Sequence, residues 1–201
     1  MITIFKSGAW GQVVKILSDA HRNFPQAVEH ALFQEAHELR KNIIQGITQQ
    51  APGGLPFRPA LSPLTLVARK LKRFGGSKTL MVRADLRNSV AVVAKGCEAF
   101  VGVLRKARSR TGGKMVDIAE VQEFGSRPIV IRVTPRMRRF LWAMLRKTGI
   151  DQPSRATGKS RYIVTRVPAR PFLRPARDAF VKGLRQRFEQ RIANFGGGKS
   201  K

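Results

Sequence analysis

Two stretches near the ends of this chain repeat apolar residues every three to four positions, with polar and charged residues between them. They cover residues 25–49 and 173–195, and this pattern is typical of long helices with one buried face. The first helix is predicted to begin at Phe24-Pro25, because proline suits a first helical turn, and to run to about Gln49. The apolar positions are Val28, Leu32, Ala36, Leu39, Ile43 and Ile47 in the first stretch and Leu173, Ala176, Phe180, Leu184, Phe188, Ile192 and Phe195 in the second.

Short apolar runs rich in β-branched residues lie between the two long helices. Residues 89–94 and 99–104 flank a KGCE turn and predict a hairpin, and residues 128–133 and 161–167 predict two further strands. The long helices are expected to cover one face of these strands. The predicted fold class is therefore α+β: a small antiparallel sheet packed by two long helices (N- and C-terminal), with a proline-rich arm and basic loops.

Proline and glycine mark the connections between these elements. Residues 51–63 hold four prolines and two glycines, which favours an ordered arm over a helix. Short helices are predicted at 64–72, at 116–124 before Gly125, and from Pro135 to Gly149. We predict a single α+β domain over residues 1–195, with polar or basic loops at 105–114 and 149–161 and a flexible tail at 196–201.

The charge balance limits the classes of partner. The chain has 39 Lys and Arg residues against 12 Asp and Glu, which gives a net charge of +27. Residues 124–201 carry 20 of the basic residues and 3 of the acidic ones. So large an excess repels itself within the fold and favours an anionic partner: nucleic acid, an acidic protein surface or anionic lipid.

Two clusters of cations are the predicted contacts for DNA or a protein partner. The loop at 105–114 has five basic residues and no acid. The second cluster opens the helix after Thr134, where cations oppose the helix dipole and require an anion from elsewhere. The predicted contact residues are Arg105, Lys106, Arg108, Arg110, Lys114, Arg136, Arg138 and Arg139.

The sequence lacks the motifs of catalysis and of cofactor binding. Segments at 75–79, 156–160 and 196–200 each lack a glycine that a phosphate-binding loop requires. His30 and His37 share a helix face with no cysteine nearby, which favours solvated polar residues over a metal site. We therefore expect no enzyme activity, no cofactor and no metal.

Cysteine usage and hydropathy set the expected compartment. Cys97 is the single cysteine, so an intramolecular disulfide is excluded and the thiol is free. It is expected to be buried, because it lies beside a short apolar run. The apolar runs are too short to span a bilayer, and the N-terminal residues lack the pattern of a signal peptide. We expect a soluble cytoplasmic product with no membrane partner.

The segment VPARPFL, residues 167–173, places two prolines and an arginine around one aromatic residue. Pro168 and Pro171 restrict the backbone between the last strand and the last helix, and so would fix the direction of that helix. Phe172 is expected to anchor the junction in an apolar pocket, and Arg170 to pair with a carboxylate of the same fold or of a neighbour. The predicted junction or interface residues are Pro168, Ala169, Arg170, Pro171, Phe172 and Leu173.

The same segment resembles the P-A-R-P-F-L signature of the virion-morphogenesis and tail-completion proteins of tailed bacteriophages. Other stretches are similar to elements of that family, in the same order. Ala84-Asp85 and Val121-Gln122 depart from it, where the family usually has Thr-Gly and often has His. The similar stretches are LSPLT (61–65), ARK (68–70), KTL (78–80), DLRNSV (85–90) and AEVQEFG (119–125), so that the resemblance covers roughly residues 25–185.

That resemblance implies a structural neck protein without catalytic activity. Its subunits are expected to close into a homo-oligomeric ring of six or twelve copies, with six favoured, that joins the capsid or portal to the tail as a tail-completion or terminator component. The expected partners are other phage neck and tail proteins, and genomic DNA held without sequence specificity in the channel. The expected location is the virion neck, after assembly in the host cytoplasm. The arm at 51–63 is a candidate to reach an adjacent subunit.

Two alternatives stay open. The VPARPFL segment would equally serve packing within one subunit. The net charge would also suit a general basic nucleic-acid-binding protein of ribosomal or nucleoid type. Against that alternative, helix-turn-helix and RNA-recognition signatures are absent, and one Tyr and two Trp leave few aromatic rings for base stacking.

Overall fold

A computed structural model of the chain describes Gly8, residues 10–148 and residues 161–197. The fold is α+β, as predicted, with mostly helical structure and four short strands in the described residues. The elements in chain order are α1 (Trp10–Gln49), a 3₁₀ turn (Pro52–Gly54), α2 (Pro63–Leu71), α3 (Asp85–Asn88), β1 (Val90–Lys95), β2 (Glu98–Val103), α4 (Met115–Phe124), β3 (Ile129–Arg132), α5 (Pro135–Lys147), β4 (Tyr162–Thr165), α6 (Leu173–Val181) and α7 (Leu184–Gly197).

The N-terminal helix begins earlier than predicted. α1 starts at Trp10 and continues through Pro25, whereas the predicted start was at Phe24-Pro25. Apolar residues do continue upstream at helical spacing, at Val14 and Leu17, and this signal extends the helix across the proline. Both side chains are 63% exposed, so the first half of α1 contributes little to the core. The predicted end at Gln49 is confirmed.

The core lies where both ends of the chain meet the first hairpin. β1 and β2 confirm the hairpin predicted at 89–104 and pair antiparallel, from Val90 opposite Val103 to Lys95 opposite Glu98. Arg40 of α1 donates from Nε to the Val90 carbonyl at 2.9 Å, which ties this helix to the hairpin. The buried cluster consists of Ile43, Ile47, Leu86, Val90, Val103, Met115, Ala119, Phe172 and Ala176.

Cys97 is exposed, so the prediction of a buried thiol is wrong. The residue lies in the turn between β1 and β2, next to Gly96, whose φ of 56° is in the left-handed region. The apolar residues that suggested burial belong to the strands. A side chain at the tip of a two-stranded hairpin has no element above it to exclude water.

The predicted C-terminal helix is divided into two helices. Gly183, with a φ of 79°, separates α6 from α7, because the left-handed conformation cannot continue a helix. α7 then packs against α1, where the 3%-exposed carboxylate of Glu35 accepts hydrogen bonds from Arg187 and Arg191. α7 includes residues 196 and 197, which were predicted to belong to the flexible tail, and residues 198–201 lie outside the described residues.

A second, separate two-stranded sheet replaces the single sheet that was predicted. β3 and β4 pair antiparallel from Ile129 opposite Thr165 to Arg132 opposite Tyr162. Between them lies α5, which packs against α2 and begins at the predicted cap, since Thr134 Oγ1 accepts from the Met137 N–H at 3.2 Å. Most of the predicted loop at 149–161 lies outside the described residues.

The proline-rich arm at 51–63 packs on its own subunit. Gly53 has a φ of 61°, and a Cβ on this residue would lie 2.2 Å from the Pro175 carbonyl oxygen of α6. The Phe57 N–H donates to the Gln50 carbonyl at 3.3 Å, which holds the arm against the end of α1. A contact of this arm with an adjacent subunit stays a prediction.

Candidate partner-binding junction and basic surface

The segment 167–173 lies where the ends of α4, the proline-rich arm and the start of α6 converge. The Ser126 N–H donates to the Val167 carbonyl at 2.9 Å, and Ser126 Oγ accepts from the Val167 N–H at 2.8 Å. Phe172 is fully buried in the core cluster, which confirms its predicted role as the apolar anchor. The remaining predicted junction residues, apart from the buried Arg170, are half-buried: Pro168, Ala169, Pro171 and Leu173.

Glu123 caps the first turn of α6 from another element. Its Oε2 accepts hydrogen bonds from the backbone N–H groups of Phe172 at 2.8 Å and of Leu173 at 3.0 Å. Its Oε1 accepts from the Arg174 N–H at 2.9 Å. The first turn of a helix has N–H groups without internal partners and a partial positive charge. One carboxylate, 7% exposed, therefore satisfies three of them and complements the helix dipole.

Sequence reasoning did not assign this role to Glu123. The signal is indirect: α6 begins after Phe172, whose side chain cannot accept a hydrogen bond, so the helix has no cap of its own. Glu123 is also the last acid before Asp151. A helix without a cap of its own needs an acceptor from elsewhere, and Glu123 is an acid that could supply it. Their pairing across 49 residues is nevertheless a tertiary contact.

Arg170 ties the junction to the proline-rich arm. Its backbone N–H donates to the Gln122 carbonyl at 2.6 Å. Its guanidinium donates from Nε to the Pro59 carbonyl at 3.0 Å and from Nη2 to the Ala60 carbonyl at 3.3 Å. The residue is 9% exposed. Its predicted carboxylate partner is not found among the described residues, where backbone carbonyls take that place.

Arg69 of α2 is the second buried cation of this region. Its Nη1 donates to the carbonyls of Lys78 at 2.8 Å and Gly76 at 3.4 Å, and the residue is 9% exposed. Burial, and then the positive charge of Arg170 nearby, lower the pKa of Arg69 below its usual value. Two buried guanidinium groups thus lie close together, and neither forms an ion pair with a described carboxylate.

The predicted basic loop is a short, ordered turn. The Ser109 N–H donates to the Gly113 carbonyl at 2.8 Å, and the Met115 N–H donates to the Ala107 carbonyl at 3.0 Å. Arg110 is the one predicted contact residue of this loop that forms an ion pair within the described chain, with Asp85 at 3.5 Å. The basic side chains of this loop are all exposed, as their predicted role requires: Arg105, Lys106, Arg108, Arg110 and Lys114.

The second cation cluster lies on the outer face of α5. Arg136, Arg138 and Arg139 are exposed, and none of them pairs with a carboxylate in the part of the chain that the structure describes. The inner face of the same helix holds Met144, which is buried, and Phe140, whose ring lies 5.9 Å from Lys72 Nζ. The helix thus presents these arginines outward, without a carboxylate partner in the described residues.

The described residues contain no group of three His, Cys, Asp or Glu side chains that would hold a metal ion. His30 packs against Phe195 and His37 against Phe33 with tilted rings, whose centroids are 5.4 and 4.4 Å apart. In the described segments, no helix has both the length and the apolar content that crossing a bilayer requires.

Comparison of the chain with protein-family models, with curated proteins and with solved structures gives no match. The fold and the site define an α+β protein with a hydrogen-bonded strand-to-helix junction and an outward-facing basic surface.

Proposed function

We propose that this chain is a structural neck protein of a tailed bacteriophage. Its subunits form a ring that joins the capsid or portal to the tail around the DNA channel, as a tail-completion or terminator component, and they carry out no catalysis. Neighbouring neck and tail proteins are its partners. The exposed cations contact DNA phosphates or acidic faces of those partners without reading sequence.

The observation that carries this proposal is the contact between two stretches that resemble the phage family, AEVQEFG and PARPFL, and the arm that leads into a third, LSPLT. AEVQEFG supplies Glu123, which caps the helix that begins in PARPFL. PARPFL supplies Arg170, which binds the carbonyls of Pro59 and Ala60 just before LSPLT. Stretches far apart in the sequence thus build one junction. Shared structural segments of a fold would behave in this way, so these contacts support the proposal.

Exposed apolar pairs on both two-stranded sheets support an assembly subunit. Val93 and Phe100 lie opposite each other on β1 and β2 and are 49% and 51% exposed. Val130 and Val164 lie opposite each other on β3 and β4 and are 64% and 66% exposed. Two-stranded sheets are marginally stable alone, and their edges and apolar faces gain stability when another chain covers them.

Electron cryomicroscopy of the particle that carries this chain tests the proposal directly. The expected result is density for a ring between head and tail into which the described fold can be fitted. For the purified protein, mass photometry with and without neck partners is expected to detect a species of six times the 22.4 kDa chain. Absence from the particle, with the protein bound to cellular RNA or DNA instead, would favour the general nucleic-acid-binding protein.

A pair of charge variants tests the basic surface separately. Replacing Arg136, Arg138 and Arg139 by Ser is expected to lower the yield of joined, infectious particles at least tenfold. Replacing the exposed Lys15, Lys95 and Lys182 by Ser changes the net charge equally at other places and is expected to leave the yield within about twofold. Equal losses in both variants would mean that net charge alone matters.

A further inference from the structure

An open cleft of about 1050 Å³ lies between the end of the proline-rich arm, α2, α4 and the segment 165–170. We call it the arginine cleft, because Arg69 and Arg170 both line it. It is separate from the outer face of α5 to which the exposed arginine cluster belongs, and neither the resemblance nor the proposed ring assigns it an occupant.

The charges that line the cleft are unbalanced. Among the described residues, Asp85 is the one carboxylate that lines it, and that group already pairs with Arg110 at 3.5 Å. Nε and Nη2 of Arg69 and Nη1 of Arg170 have no hydrogen-bond partner among the described residues, beyond the carbonyl contacts made by their other nitrogens. The lining cations are Arg69, Lys72, Arg83, Arg166 and Arg170.

Arg69 and Arg170 line one cleft with no carboxylate between them among the described residues, so their positive charges repel each other. The pKa of Arg69 is lowered first by burial and then by the positive charge of Arg170, and this second cause agrees with such repulsion. An anion that contacts both guanidinium groups would relieve the repulsion and satisfy their unused N–H donors. The cleft therefore favours an anionic occupant on grounds of geometry and charge together.

The rest of the lining indicates what else the occupant carries. Apolar side chains from several elements form much of the surface, among them Phe74, Leu80, Met115 and Ile118. Gln122 also lines the cleft, and its Oε1 is buried without a hydrogen-bond partner among the described residues. A complementary occupant thus offers an anion, apolar groups and a hydrogen-bond donor.

A polypeptide supplies these three features in one chain. An acidic side chain provides the carboxylate for the guanidinium groups, its neighbours provide apolar contacts, and a backbone N–H provides the donor for Gln122. A nucleic-acid backbone supplies phosphates but little apolar surface. We infer that the arginine cleft binds an extended acidic segment of a partner protein, with a carboxylate on Arg69 and Arg170. This inference specifies a partner for the proposed neck function.

The test uses the purified full chain and a defined probe. The probe is a fluorescein-labelled, end-capped peptide of alternating Leu and Glu, and the comparison peptide has Gln in place of Glu. Fluorescence anisotropy at about 0.15 M salt, where surface charges are screened beyond about 8 Å, gives both Kd values. The Glu peptide is expected to bind at least about tenfold more tightly than the Gln peptide.

Charge-matched variants distinguish the cleft from the overall charge. Arg166→Gln at the rim of the cleft is expected to weaken binding about threefold or more. The control is Arg185→Gln, because the Arg185 side chain is 93% exposed and lies outside the cleft. This control is expected to change the Kd by no more than about 1.5-fold. Arg170→Lys keeps the charge but loses the planar fork, and is expected to weaken binding about fivefold or more. If Arg170→Lys fails to fold, Arg166→Gln and the shifts of backbone amide resonances around the cleft decide the outcome.

Two results would overturn the inference. Equal losses in Arg166→Gln and Arg185→Gln would mean that the peptide responds to diffuse charge. Displacement of the peptide by an oligothymidylate of about twelve nucleotides, with the same cleft amides shifted, would assign the cleft to nucleic acid. A ring at the neck without peptide binding would remove this inference and leave the proposed function. Peptide binding by a chain that is absent from the particle would remove the proposed function and leave this inference.

Discussion

The carboxylate of Glu123 lies 2.8 Å from the backbone nitrogen of Phe172, although 49 residues separate them. Through this contact, the end of α4 fixes the start of α6 while Phe172 fills the core. The prolines at 168 and 171 restrict the approach to the same point. The junction is thus held by an apolar anchor, a charged cap and a stiff backbone, so its direction relative to the core is well defined.

Glu123→Gln should destabilise the protein by about 2–3 kcal/mol. Glutamine keeps the shape, but its amide N–H₂ group would face a backbone N–H that now donates to a carboxylate oxygen. The negative charge at the helix N-terminus is also lost. Urea unfolding followed by circular dichroism measures the change. Glu120→Gln, on an exposed site of the same helix, should change stability by about 0.5 kcal/mol or less. Equal effects of the two substitutions would show that the cap contributes nothing.

Gly53→Ala should destabilise the protein by about 3 kcal/mol or more, because a new Cβ would lie 2.2 Å from the Pro175 carbonyl oxygen at a φ of 61°. Gly54→Ala is the matched control. Its φ is also positive, at 82°, but a Cβ there meets no atom within 4 Å, so about 1 kcal/mol is expected. Urea denaturation of both variants gives the difference. Similar values for the two would mean that the arm does not pack on α6 in solution.

Glu35→Gln should release α7 from α1. Its buried carboxylate accepts hydrogen bonds from Arg187 and Arg191, and its loss leaves two guanidinium groups without a counter-charge. We expect a loss of about 2 kcal/mol, moderated because both arginines are partly exposed to solvent. Hydrogen exchange of the α7 amides measures this loss. The control is Glu29→Gln, at an exposed site of α1. Unchanged protection of α7 in Glu35→Gln would contradict this pairing.

Cys97 should react fully with a thiol reagent such as DTNB in the folded protein. Its place in the hairpin turn leaves the sulfur open to solvent, so one thiol per chain is expected to titrate without denaturant. The check is the absorbance released in native buffer against that released in urea. A thiol that reacts only in urea would restore the buried state that the sequence alone suggested.

Local patterns predicted most of the elements. Apolar spacing gave both long helices and the hairpin, and cap residues gave starts such as Thr134-Pro135, because these signals depend on neighbours in the sequence. The predicted helix boundaries were wrong where the surrounding sequence pattern or the backbone conformation of one residue outweighed the local signal. Pro25 lies inside α1 because the flanking helical pattern continues on both sides of it, and Gly183 divides the last helix through its backbone conformation.

The sequence by itself determined the fold class, the positive charge, and the place of Phe172 as an apolar anchor. Composition and periodicity act along the chain, so they can be read from it. Only the tertiary structure decided that Glu123 caps α6, that Arg170 holds the arm rather than a carboxylate, and that Arg69 lies beside Arg170. Each of these contacts joins residues that are far apart in sequence, because folding must satisfy buried polar groups with whatever partners the packing brings near.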